Sequence, residues 1–153
     1  MNGENTCWNR SVAGVCIHNG KVLLARHTYG GGKGMLIIPG GYINNDEMPE
    51  EALKREYREE VDLTVEVKEL IGMRFQVNDW YAVFRVEYIS GNAHPDNDEN
   101  DEVVWLPLSE VDGHDDIPDL TKKLIALAKS GNGFYEIPYN GRATPRCLMG
   151  AEK

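Results

Sequence analysis

Asn19-Gly20 stands between the apolar runs Val12-Ala-Gly-Val-Cys-Ile-His18 and Lys21-Val-Leu-Leu-Ala-Arg26, and it narrows the fold more than any other feature of the chain. A two-residue hairpin turn needs positive φ at both central positions, which Asn and Gly tolerate, so the two runs read as antiparallel strands. The residues that follow continue the mixed reading. Tyr29-Gly-Gly-Gly-Lys-Gly34 is too rich in glycine for regular structure, and a short apolar strand, Met35-Leu-Ile-Ile38, stops at Pro39-Gly40-Gly41. A helix is predicted from about Met48-Pro49 to Val61-Asp62, since proline suits the first helical position and Glu50 and Glu51 favour the positive end of the dipole.

Two longer strands are expected at about Val65 to Val77 and Trp80 to Ile89, turning at Asn78-Asp79. The polar, acidic stretch from Asn92 to Asp101 reads as a loop, and Glu102 to Leu106 as a further strand. A second helix is predicted from Pro118 to Lys129, closed by Gly131, with Leu120, Leu124, Leu127 and Ala128 on one face. Phe75, Trp80, Tyr81 and Phe84 lie in predicted strands and are expected in the core. Strands and helices in this order imply an α/β fold with a mixed sheet and helices packed on it.

With 153 residues the chain fits one domain with its own core, here taken as 1–133, followed by a tail, 134–153, without a clear period. That tail reads equally as a disordered end, an added strand or a homodimer contact. No stretch approaches the ~20 apolar residues of a membrane span, and the start lacks the pattern of a signal peptide, so a cytoplasmic location is expected. Cys7, Cys16 and Cys147 are too few and too scattered for a disulfide framework or zinc site and are expected as free thiols. A net charge of −9 argues against a nucleic-acid polymer as partner, because such binding rests on clustered Lys and Arg. An acidic protein can still take an anionic small molecule if a divalent cation supplies the positive charge.

The chemistry concentrates in the first helix. Glu56, Glu59 and Glu60 stand at i, i+3 and i+4 and share a face, an arrangement that destabilises a helix by a few tenths of a kcal/mol per pair. Lys54, Arg55 and Arg58 can offset this as a solvated charge network, and so can a hard cation such as Mg²⁺, which prefers oxygen ligands. The helix by itself leaves both explanations open.

Its surroundings carry more. Gly41, five residues, Glu47, seven residues, Arg55-Glu56, Tyr57, one residue, Glu59-Glu60, then Asp62 and Leu63, resembles the Nudix box, G-x5-E-x7-R-E-U-x-E-E-x-G-U, where U is aliphatic. Two positions depart from it: Tyr57 replaces an aliphatic residue, and Asp62 replaces the closing glycine. Tyr57 is four residues from Leu53 and can cover the core, and Asp tolerates the left-handed conformation that ends such a helix.

The resemblance implies a Nudix-type α/β/α sandwich, with the box helix and a C-terminal helix on a mixed sheet. It also implies Mg²⁺-dependent hydrolysis, with Mn²⁺ as a substitute, of a phosphoanhydride in a small nucleoside-diphosphate-linked substrate. By position, Glu56 and Glu60 would be direct metal ligands, Glu59 a direct or water-mediated one, and the Gly40 carbonyl a further contact. Arg55 and Glu47 would pair to hold loop against helix. The base that takes the proton from water would be Glu56 or a glutamate outside the box, of which Glu99 is favoured, and Arg26 resembles an arginine that touches substrate phosphate. Nucleoside triphosphates, ADP-ribose-like compounds and nucleotide sugars all remain open as substrates. The alternative is a domain of this fold that senses a nucleotide without consuming it, although such a domain would be expected to lose the box carboxylates.

Overall fold

The computed structural model describes residues 8–142, 145 and 147–151; Cys7 lies outside them. The hairpin forms as expected, with β1 (Asn9–His18) and β2 (Lys21–His27) antiparallel through Ile17↔Val22 and His18↔Lys21. Asn19 and Gly20 take φ of 53° and 75°. Beyond those pairs the two strands part and acquire different neighbours. β1 pairs in parallel with β6 (Asp79–Ser90) and antiparallel with β4 (Gly40–Tyr42). β2 pairs with β3 (Leu36–Ile37) and with β7 (Asn100–Pro107). β5 (Thr64–Gln76) completes the sheet beside β6. The sheet is therefore mixed, and it opens into two halves that remain joined at the hairpin.

Alternation along the strands builds two cores. Ala13, Val15, Val22 and Leu24 point to one face, where α2 (Asp119–Ser130) adds Leu124, Ile125 and Ala128. Val12, Cys16, Leu23 and Ala25 point to the other, where α1 (Pro49–Val61) adds Ala52, Leu53, Tyr57 and Val61. A period of two on each strand serves both faces at once, as a helix–sheet–helix sandwich requires. Each fully buried aliphatic side chain in these layers contributes roughly 1.5–3 kcal/mol.

Several local expectations hold. Pro49 opens α1, and Asp62 ends it in the left-handed conformation, φ 57° and ψ 41°. Tyr57 is fully buried, and its hydroxyl donates to the Gly14 carbonyl at 2.7 Å, so its polar end is satisfied within the core. Cys16 is a buried free thiol and Cys147 an exposed one.

Others are corrected. The hairpin between β5 and β6 turns at Val77 and Asn78, one residue earlier than expected, because Gln76 pairs with Asp79 and Asn78 takes the positive φ of 66°. The buried face of α2 is Thr121, Leu124, Ile125 and Ala128, which fit the 3.6-residue period better, while Leu120 and Leu127 lie at its rim. Gly40–Tyr42 is a strand rather than an ending, since Gly40 lacks the Cβ that would collide with the Val12 carbonyl and Ala13. Phe84 is in the core, but Phe75 and Trp80, paired next to the turn of the β5–β6 hairpin, are exposed and pack edge-to-face on each other.

In the tail, β8 (Tyr135–Glu136) and β9 (Met149–Gly150) form a small antiparallel pair, and Phe134 bonds to Leu70 of β5 through both backbone groups. Among the described residues no helix is long and apolar enough to cross a membrane. Replacing Tyr57 by Phe should lower the free energy of unfolding by about 1 kcal/mol through loss of the buried hydrogen bond, measured by urea denaturation. An unchanged midpoint and slope would refute that role.

Candidate active site

α1 carries Glu56, Glu59 and Glu60 in its C-terminal half, and the fold brings two other segments to them. The first is β4. A Cβ at Gly41 would stand 2.5 Å from the Glu56 carboxylate, so glycine is what lets that side chain lie against the strand. The Gly40 backbone acts on Glu60 from the same strand, opposing the upward shift of its carboxyl. The second segment is the acidic loop before β7, which delivers Glu99. Carboxylate oxygens of Glu56, Glu60 and Glu99 lie within 4.8 Å of one another.

The loop is shaped to make this delivery. Asp96 accepts hydrogen bonds from the backbone N–H groups of Asp98 and Asn100, at 2.9 and 3.0 Å, and Asn97 takes φ of 61°. The Glu99 carbonyl accepts from the Thr28 N–H at 3.1 Å, and the Thr28 hydroxyl donates to the Asp98 carbonyl at 2.6 Å. Asn100 is buried, and its Nδ2 donates to the Glu60 carbonyl at 3.1 Å, tying the end of α1 to the start of β7. Its Oδ1 is buried and has no hydrogen-bond partner among the described residues. Sequence reasoning did not single out Asn100. Nothing local marks an asparagine whose partner is 40 residues away.

Arg55 organises the other side. Its Nε and Nη2 donate to the two oxygens of Glu47 at 2.7 and 2.9 Å, and Nη2 also reaches the Tyr42 carbonyl at 3.0 Å. Its Nη1 donates to Glu56 at 2.9 Å and Glu59 at 3.1 Å. The expected pairing of Arg55 with Glu47 is therefore present, and it is bidentate. The hydrogen bond from Arg55 and that from the Asn44 N–H pull the Glu47 carboxyl down to about 2. Glu59 turns outward with Arg55, its side chain 59% exposed, and is not one of the three that converge.

Arg26 is engaged elsewhere. Its guanidinium donates to Glu102 at 2.6 Å, to the Gly34 carbonyl at 2.7 Å and to Asp116 at 3.0 Å, holding the glycine-rich loop and the segment before α2 against β7.

The three converging carboxylates sit in an environment that resists their charge. Burial, then the neighbouring Glu56 and Glu99, push Glu60 up to about 9. Burial also raises Glu56, although Arg55 pulls in the other direction, and burial with Asp96 and Asp98 raises Glu99. A second positive charge beyond Arg55 would relieve this repulsion. The donor set is all oxygen, the kind that suits Mg²⁺, and the space that a Cβ at position 41 would fill is left to the Glu56 carboxylate, so these residues fit a hard divalent cation.

Between the ordinary value of 4.5 and about 9, the folded metal-free protein holds a proton on Glu60 that the unfolded chain has lost. Its stability should therefore fall as pH rises through that window. In EDTA, Tm is expected to drop between pH 5 and 8.5, and the Glu60→Gln protein, which cannot ionise there, should be the more stable of the two at pH 8.5. Equal Tm values at pH 8.5 would contradict the assignment.

Comparison with known proteins agrees with this arrangement. The family model described as the NUDIX domain matches residues 8–127. A MutT-like protein of Streptomyces ambofaciens is 36% identical over 104 residues, covering 66% of this chain and 65% of that protein. An ADP-ribose pyrophosphatase of Methanocaldococcus jannaschii is 36% identical over 63 residues, 41% of this chain and 37% of its own length. The chain thus spans less than two thirds of either relative. Among solved structures, a MutT Nudix hydrolase from Burkholderia pseudomallei superimposes with a TM-score of 0.70 at 18% identity, covering 78% of this chain and 96% of that one. The Nudix domain of Shewanella oneidensis NrtR, solved with ADP ribose, gives 0.68 at 19% identity, covering 85% and 92%. With the family's domain matched over most of its length, and the box carboxylates drawn together by the fold, the chain belongs to the Nudix hydrolase family.

Proposed function

We propose that this protein hydrolyses a phosphoanhydride bond in a small nucleoside-diphosphate-linked substrate, with Mg²⁺ as its cofactor. The observation that carries the proposal is the convergence of Glu56, Glu60 and Glu99 within 4.8 Å, in a Nudix domain. Among the substrates left open by the sequence, ADP-ribose is the first to test. One relative is an ADP-ribose pyrophosphatase, and a structure of similar fold was solved with ADP ribose.

Glu56 and Glu60 would hold the cation directly, with the Gly40 carbonyl as a neutral oxygen and Glu59 contributing directly or through water. When bound, Mg²⁺ neutralises phosphate oxygens and lowers the pKa of a coordinated water. Arg55 keeps Glu56 pointed at Gly41 rather than out to solvent, and its bond to Glu47 keeps the loop before the helix in register. Glu99 arrives on a separate loop, and in this reading either it or Glu56 accepts the proton from water. The water oxygen bonds to phosphorus, the bridging P–O bond breaks, and the electron pair leaves with the departing phosphate.

Turnover of ADP-ribose, nucleoside triphosphates and nucleotide sugars with Mg²⁺ tests this reading. Glu56→Gln and Glu60→Gln should each lower kcat about a hundredfold or more, at ~1.4 kcal/mol per factor of ten. Glu99→Gln should lower kcat while calorimetric Mg²⁺ binding persists. Near-normal turnover in both helix variants would sink the metal assignment, and a nucleotide bound tightly but never consumed would favour a sensor.

A further inference from the structure

Asn100 faces the side of the sheet that strand alternation denies it. Along β7, Val104 and Leu106 pack into the core under α2, and Val103 and Trp105 pack on the side of α1. Strict alternation would send Glu102 and Asn100 to the α2 side with Val104. Glu102 goes there and meets its cross-strand partner Arg26, which alternation from Val22 and Leu24 puts on the same side. Asn100 does not. Arg26 pairs with Glu102 but His27 pairs with Asn100, so Asp101 is an extra residue with no opposite number, a β-bulge. One extra residue reverses the alternation beyond it. Asn100 is thereby turned to the α1 side, where it is buried and its Nδ2 donates to the Glu60 carbonyl at 3.1 Å.

The backbone around Glu99 is therefore fixed from two directions. From β2, the Thr28 hydroxyl donates to the Asp98 carbonyl at 2.6 Å and the Thr28 N–H to the Glu99 carbonyl at 3.1 Å. From α1, the Asn100 side chain ties the residue after Glu99 to the helical turn that carries Glu60. Both ties are neutral, and they oppose a repulsion. Carboxylate oxygens of Glu99 and Glu60 lie within 4.8 Å of each other, where like charges would drive a free loop away. The buried Asn100 Oδ1, without a hydrogen-bond partner among the described residues, is a defect that an apolar residue at this position would avoid. The donor end of the amide is what the position uses.

We propose that Thr28 and Asn100 are positioning residues for the hydrolysis: the bulge at Asp101 turns Asn100 onto α1, and the two side chains together hold Glu99 beside Glu60. Their action is through Glu99. The proposal rests on the hydrolase reading for the chemistry that Glu99 serves, and one arm of its test needs no turnover. Thr28→Val keeps the size of the side chain and the backbone N–H and removes the hydroxyl donor. In EDTA, amide exchange followed by NMR should quicken at least about tenfold at position 28 and at Asn100, while Val15 in β1 keeps its rate. With Mg²⁺, kcat on a nucleotide substrate should fall about tenfold with KM within about twofold, and Thr28→Ser should keep the wild-type kcat. In the Glu99→Gln background the same Thr28→Val change should cost less than about twofold, because a tie that acts through a carboxylate has nothing to act on once that carboxylate is gone. Asn100→Ala, checked for folding by circular dichroism, should show the same non-additivity; if it does not fold, the Thr28 cycle decides alone.

Equal losses from Thr28→Val in the two backgrounds, or unchanged exchange at position 28, would overturn the positioning role. A Glu99→Gln protein as fast as the wild type would overturn it too, and would leave the hydrolase reading standing on Glu56 and Glu60. A wild type that turns over no nucleotide substrate would end the hydrolase reading and the role in hydrolysis together, while quickened exchange would still establish that Thr28 holds the loop.

Discussion

The site depends first on one cation of the protein's own, Arg55. Its guanidinium spans the gap between the loop before α1 and the helix, with two bonds to Glu47, one to the Tyr42 carbonyl and one each to Glu56 and Glu59. Such a fork matches a carboxylate with two parallel bonds, which a lysine could not do. Without it, the loop and the helix would meet as an excess of negative charge. With it, β4 comes close enough that only glycine fits at position 41, and Glu56 is held beside Glu60 rather than swinging away from it.

The parting of the sheet gives that arrangement its second partner. β1 and β2 are neighbours only near the hairpin, and past it β1 takes β4 while β2 takes β3 and β7. Gly40 and Gly41 thus belong to one half of the sheet, and Glu99, just before β7, to the other. α1 bridges them. Thr28 and Asn100 make this bridge specific, since each bonds across from one segment to another through groups that would otherwise need water. A binding site placed across two halves of a sheet can be adjusted by small changes in loops while the two apolar cores stay as they are.

The electrostatics are consistent with a site built for a ligand rather than for stability. Burying like charges together is unfavourable, and here burial raises all three carboxylates from their ordinary value, with repulsion from neighbouring acidic groups adding to it. Proteins tolerate such local conflict where function requires it and offset it through packing elsewhere.

Much of this was legible in the chain itself. The Asn19-Gly20 turn, the limits of α1, the left-handed Asp62, the pairing of Arg55 with Glu47 and the shared face of Glu56 and Glu60 all follow from backbone geometry over a few residues or from the spacing of one motif. Other features were decided only by packing between distant segments. Periodicity places Glu59 with its neighbours, yet Arg55 draws it outward; the acidic stretch offers four carboxylates, yet the turn made by Asp96 selects Glu99. The exposure of Phe75 and Trp80 depends on what packs over their end of the hairpin, and Asn100 acquires a role only because Glu60 is folded against it. Spacing along a helix or strand fixes which side chains point the same way within about 6 Å. Which of them meet a partner many residues away depends on how strands part and loops close, and that is a property of the whole packed chain.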